Sequence, residues 1–159
     1  MPISFVSIKE VPWDILSPGI HQLTLVNFRN MFVFNDIRRK QFHGLIRGLQ
    51  SLKLAGCSIV YIDGSYVTKK PNPGDYDACW EHTNVDIPKL DEVFVDFTDE
   101  RAAQKNKYEG EFFPAYTEAD SSGNIFLNFF QIEKNSGQAK GIIQLNLDME
   151  DLNMFSEKL

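Results

Sequence analysis

Ser58-Ile59-Val60-Tyr61-Ile62-Asp63-Gly64-Ser65 is followed, across a proline- and glycine-bearing loop, by Asp75-Tyr76-Asp77-Ala78-Cys79-Trp80. The run from Ser58 to Ile62 is short, apolar and β-branched, which predicts a strand. Asp63-Gly64-Ser65 breaks it. Lys69-Lys70-Pro71-Asn72-Pro73-Gly74 is incompatible with regular structure and predicts a loop. Tyr76 to Trp80 predicts a second strand, joined to the first by more chain than a tight hairpin needs. Alternation along that strand puts Asp75 and Asp77 on one face and Tyr76 on the other. Two carboxylates at that spacing repel each other, and a divalent cation relieves the repulsion. Oxygen donors without histidine suit Mg2+ or Mn2+ better than zinc. Gly64-Ser65 after a strand allows the backbone to approach a phosphate closely, with the Ser65 hydroxyl and exposed amides as donors. An isolated Asp-x-Asp is common on surface turns. One that opens a strand shortly after a Gly-Ser has closed another is far more restrictive.

Upstream, Pro2, Pro12 and Pro18-Gly19 mark residues 1–20 as an extended lead-in with turns, anchored by Trp13, Ile15 and Leu16. Thr24 is the expected N-cap of a short helix to about Phe32. Asn35 caps a longer one, in which Ile37, Phe42, Leu45, Ile46, Leu49 and Leu52 recur at helical spacings. Gly56 stops it. Downstream, residues 87–97 predict a helix with Leu90, Val93, Phe94 and Phe97 on one side, and residues 99–108 a second. Three strands are expected at 112–118, 125–132 and 141–147. Ser121-Ser122-Gly123-Asn124 and Asn135-Ser136-Gly137 supply the turns between them. A last short helix is expected in the tail from Asp148 to Leu159. The pattern predicts a single α+β domain over 1–159.

The 159 residues are enough for one domain with a real core. The hydrophobic fraction of 43% and charged fraction of 24% are those of a soluble globular protein. The net charge of −6 disfavours bulk electrostatic binding to nucleic acid, although it leaves room for a local basic groove. Cys57 and Cys79 form no metal-ligand spacing and suit a reduced, cytoplasmic setting. No signal segment and no membrane-length apolar run is expected.

Gly64, Ser65, Asp75 and Asp77 together resemble the signature of the DNA polymerase beta-type nucleotidyltransferase superfamily. A closer resemblance is to a poorly characterised bacterial family of short nucleotidyltransferase-like proteins. It is carried by Leu16-Ser17-Pro18-Gly19-Ile20-His21, Ala55-Gly56-Cys57, Ile62 to Thr68, Pro73 to Asp77, Glu111-Phe112-Phe113-Pro114-Ala115, Phe129-Phe130-Gln131 and Lys140-Gly141-Ile142-Ile143. The resemblance implies a nucleotidyltransferase fold, a mixed β-sheet with helices packed mainly on one face. It also implies a metal-dependent transfer of NMP from an NTP, with ATP preferred, to an acceptor hydroxyl on a protein, an RNA or a small molecule. Small relatives in the superfamily act in toxin–antitoxin or defence pairs, so a partner protein is an expected acceptor. The alternative is an inactive module of the same fold that binds a nucleotide or a partner protein.

In that superfamily the Gly-Ser holds phosphates, the two aspartates hold metal, and a third acid from a later strand completes the site. Glu118, in the first strand expected after the helices, is the preferred third acid. Glu111 and Asp120 are its rivals, and chain order disfavours Asp63 and Asp96. Lys69 and Lys70 lie between Ser65 and Asp75, within reach of a triphosphate; a solvated loop is the competing reading. Lys140, which opens the last strand, could also meet phosphate; a hairpin lysine guarding a strand edge is the competing reading. Thr68 is expected to cap a turn, His21, His43 and His82 to be structural, and Phe126, Phe129 and Phe130 to be core. Arg38-Arg39-Lys40 is expected on a solvated helix face.

Overall fold

The computed structural model describes residues 3–156. It is α+β, with a mixed five-stranded sheet. A small antiparallel pair, β1 (Phe5–Val6) and β2 (Ile15–Leu16), ties the lead-in together. The main sheet contains β3 (Gly19–Gln22), β4 (Ile59–Asp63), β5 (Tyr76–Trp80), β6 (Gly110–Pro114) and β7 (Gly141–Asn146) in the order β3-β7-β4-β5-β6. β4 runs antiparallel to both β5 and β7, whereas β5–β6 and β3–β7 are parallel.

Both early helices start at the expected caps. Thr24 Oγ1 accepts from the Asn27 amide at the start of α1 (Leu25–Phe32), and Asn35 Oδ1 accepts from the Arg38 amide at the start of α2 (Asp36–Leu54). α2 lies close against the sheet because Gly48 has no side chain: a Cβ there would come within 2.6 Å of the Phe112 ring. Strand alternation divides the sheet into two faces. Val60, Ile62, Ala78, Trp80, Phe112, Ile143 and Leu145 pack with α1 and α2 into the main core. Tyr61, Cys79, Phe113 and Ile142 face the other way and form a smaller cluster. Among the described residues, no helix is long and apolar enough to cross a membrane.

Several sequence expectations differ from what is observed. Residues 87–97 are two short 3-10 turns, Ile87–Lys89 and Glu92–Val95, with only Phe94 fully buried. Of the helix expected at 99–108, α3 (Thr98–Tyr108) is right-handed only from Ala102, because Asp99, Glu100 and Arg101 are left-handed. The strand expected at 125–132 is instead the short helix α4 (Phe126–Phe129), with Phe129 and Phe130 amides donating to Ile125 and Phe126 carbonyls. Phe126 and Phe130 are a helical turn apart, and both rings meet Phe113, at 4.7 and 5.1 Å. A short apolar run fits either period, and this contact selects the helix. The strand expected at 112–118 begins two residues earlier and ends at Pro114, where the Thr117 amide turns back onto the Pro114 carbonyl. Of the expected tail helix, the described part is a 3-10 turn, Leu152–Phe155; residues 157–159 lie outside the described residues.

Candidate functional site

The Gly64-Ser65 turn begins where β4 ends. Gly64 has φ +75°, a conformation that glycine adopts without strain, and any Cβ there would overlap the Asp77 carboxylate. The requirement for glycine is therefore double: backbone conformation and room for the acid. β5 starts one residue after Asp75. Tyr76 points into the main core, its hydroxyl donating to the Tyr108 carbonyl at 2.6 Å, and this fixes the aspartates on the opposite face.

Register then brings a third acid alongside. Asp77 is paired with Asp63 on β4 and with Glu111 on β6, so three carboxylates form a row across three neighbouring strands. Asp75, Asp77 and Glu111 each offer a carboxylate oxygen, and these oxygens all lie within 4.8 Å of one another. Glu118 is not part of this group. It is exposed, beyond the end of β6, in an isolated bridge with Ile125. The acid beside the aspartate pair is thus Glu111, which chain order had ranked below Glu118. Asp96 is held in a local turn by Thr98, and Asp120 accepts from the Ser122 and Asn124 amides, at 3.0 and 3.3 Å.

The electrostatics follow from burying like charges together. Burial first, then Asp75 and Glu111, push the Asp77 carboxyl up to about 7, against the opposing pull of Lys140 and Arg101. Burial and Glu111 also raise Asp75, with Lys105 opposing. Asp63 is fully buried and is held far above the usual carboxylate range by burial and by Asp77. Its Oδ1 has no partner among the described residues, and Oδ2 accepts a weak bond from the Cys79 thiol at 3.4 Å. Glu111 carries its own counter-charges from α3: Arg101 Nε is 3.1 Å and Lys105 Nζ 3.0 Å from its two oxygens. Asp99, Glu100 and Arg101 are all left-handed, with φ between +50° and +63°, so the segment presenting Arg101 is strained.

A cavity of about 620 Å3 opens on Asp75 and Asp77; Asp63 and Glu111 are not among its lining residues. Gly64, Ser65, Thr68, Asp75 and Asp77 line one side, with Lys70 and Lys140 beside them. Trp13 from the lead-in and Phe129, Phe130 and Ile132 from the β6–β7 connection line the apolar side. The two loop lysines therefore separate. Lys70 reaches the cavity over the Trp13 ring, whereas exposed Lys69 lies over Phe5, 4.2 Å from the ring centre. Thr68 does cap the turn, donating to the Ser65 carbonyl and accepting from the Lys70 amide. Phe126 and Phe130 pack in the smaller cluster, but Phe129 is 44% exposed at the cavity rim. Sequence reasoning missed Lys134 and Trp13 as lining residues; neither carries a local signal, because separate loops bring both to the cavity.

In class, this is an α+β protein with a three-carboxylate cluster, two of whose members line a cavity together with a Gly-Ser turn. The chain belongs to a family of unknown function (DUF6932), whose model matches residues 9–146. No curated protein and no solved structure matches the chain.

Proposed function

We propose that the protein is a metal-dependent nucleotidyltransferase of nucleotidyltransferase fold, using an NTP, with ATP as the first choice. The observation that carries this reading is the convergence of the Asp75, Asp77 and Glu111 oxygens within 4.8 Å of one another, with Asp75 and Asp77 lining the same cavity as Ser65. The donor set fits Mg2+ or Mn2+: three hard carboxylates in close reach, with no soft or imidazole ligand in the group. Bound metal would neutralise the phosphate charge and polarise the reacting phosphoryl group. Ser65 and the nearby amides hold the phosphate tail, with Lys70 and Lys140 as counter-charges. The acceptor oxygen forms a bond to the α-phosphorus as the bond from that phosphorus to the β-bridging oxygen breaks. Pyrophosphate leaves with that electron pair, and a carboxylate of the cluster takes the hydroxyl proton. The acceptor is a hydroxyl on a protein, an RNA or a small molecule. The acidic chain favours the first and last, and a toxin–antitoxin partner is one such protein.

A second reading, an inactive module that binds a nucleotide or a partner, is favoured by one observation. Glu111 is already neutralised by Arg101 and Lys105, and metal must displace those cations to use it. Incubation with α-labelled ATP, Mn2+ and cell lysate separates the two. Activity predicts label on an acceptor with the wild type and at least a hundredfold less with Asp77→Ala. Equal labelling by Asp77→Ala refutes the site. Nucleotide binding with no transfer to any acceptor leaves the module reading in its place.

A further inference from the structure

Arg38 is 0% exposed, although charged side chains are rarely buried without a partner. The exposed face expected for Arg38-Arg39-Lys40 holds for the latter two and fails for Arg38. No carboxylate lies within ion-pair distance of it among the described residues. Its guanidinium is instead spent on backbone carbonyls. Nη1 donates to Phe32 at 2.9 Å and Tyr66 at 2.6 Å. Nη2 donates to Thr68 at 3.1 Å and Lys70 at 2.6 Å, and Nε also donates to Lys70 at 3.2 Å. Tyr66 returns the contact, its hydroxyl donating to the Arg38 carbonyl at 2.7 Å and its ring lying 4.7 Å from the guanidinium.

The same face of α2 holds the rest of the loop. Asn35 Nδ2 donates to the Pro71 carbonyl and Gln41 Nε2 to the Pro73 carbonyl. Residues 68–73 have no helix or strand of their own, so these carbonyl contacts set their path. Three alternate carbonyls, of Tyr66, Thr68 and Lys70, turn toward one planar fork. Ser65, Thr68 and Lys70 meanwhile line the cavity that opens on Asp75 and Asp77. Only a guanidinium offers five donors in that fixed geometry; an ammonium has the charge without the shape.

We propose that Arg38 is the positioning residue of the phosphate-binding turn: its fork fixes the 66–70 backbone so that Ser65, Thr68 and Lys70 face the phosphate tail of the bound nucleotide. The proposal rests on the nucleotide reading of the cavity, and the test has one arm that does not depend on it. Arg38→Lys and Arg38→Met are compared with Leu49→Val, a core change on the same helix away from the loop. In the first arm, hydrogen exchange is followed at the Thr68, Lys69 and Lys70 amides, which bond to the Ser65 carbonyl, the Asp14 carbonyl and Thr68 Oγ1. Both Arg38 variants should exchange there at least tenfold faster relative to the β4 amides, and Leu49→Val should not. In the second arm, Mg–ATP affinity should fall at least tenfold in both Arg38 variants and be kept in Leu49→Val. Wild-type protection of the loop in Arg38→Lys overturns the positioning role. A loosened loop with unchanged nucleotide affinity overturns its link to phosphate. Failure of the wild type to bind millimolar Mg–ATP refutes the nucleotide reading, while the exchange arm still decides whether Arg38 sets the loop.

Discussion

The two faces of the central sheet are built from the same strands and do opposite things. On one, Ala78, Trp80, Phe112 and Ile143 join Phe28, Phe42, Phe94 and Tyr108 in an aromatic-rich core under α1 and α2. On the other, Asp63, Asp77 and Glu111 stand in a row beside a cluster of only a few apolar side chains. Adjacent residues of a single strand divide between them: Phe112 faces the core, while Glu111 and Phe113 flank it on the acidic side. The first face stabilises the fold. The second holds Asp63, Asp75 and Asp77, whose burial and mutual repulsion outweigh the nearby cations and disfavour their charged forms, whereas Glu111 is ion-paired with Arg101 and Lys105. That contrast is what the proposed binding site would produce.

The largest way to sharpen this contrast is truncation on either face of β6. Phe112→Ala removes a fully buried ring that meets Tyr76, Phe94 and Tyr108, and should lower unfolding free energy by about 3–5 kcal/mol in urea titrations. Phe113→Ala, on the smaller cluster, should cost about half as much, because its partly buried neighbours Phe126 and Phe130 can relax into the space it leaves. Equal costs would break the division of labour between the faces.

A smaller effect comes from pH. The Asp77 carboxyl is raised to about 7 in the fold, against about 3.9 in the unfolded chain. A raised acid favours the protonated folded state, so its destabilising contribution is absent below about pH 4. That contribution grows as pH rises and is complete above about pH 7. Buried Asp63 acts with the same sign. Without divalent metal, the melting temperature should therefore fall between pH 5 and pH 8. Asp77→Asn should reduce that fall and, at pH 8, melt higher than the wild type, with a stability gain on the order of 1–3 kcal/mol. A variant that is less stable than the wild type at pH 8 would contradict the electrostatic account.

Much of this was legible in the residues. The caps at Thr24 and Asn35, the apolar period of α2, the β4 and β5 runs and the Gly64-Ser65/Asp75/Asp77 spacing all lie within local sequence, where propensity and periodicity act. What escaped reading was nonlocal. Glu111 reaches Asp77 only through the parallel β5–β6 register, which no local pattern encodes. One signal was available: with Phe112 committed to the core, alternation puts Glu111 on the aspartate face, whereas an extended strand running on to Glu118 would put that acid on the Phe112 face. The α4 turn depended on a ring contact with Phe113. Arg38 looked like one more charge on a helix surface until the loop carbonyls that surround it were in place.

The acid that completes the cluster beside Asp75 and Asp77 is Glu111 and not Glu118. Mn2+ binding, followed by electron paramagnetic resonance at pH 8, compares the wild type with Glu111→Gln and Glu118→Gln. The prediction is saturable binding by the wild type, at least tenfold weaker binding by Glu111→Gln, and wild-type affinity in Glu118→Gln. Loss of binding in Glu118→Gln with Glu111→Gln unaffected, or no saturable binding by the wild type at millimolar Mn2+, would contradict it.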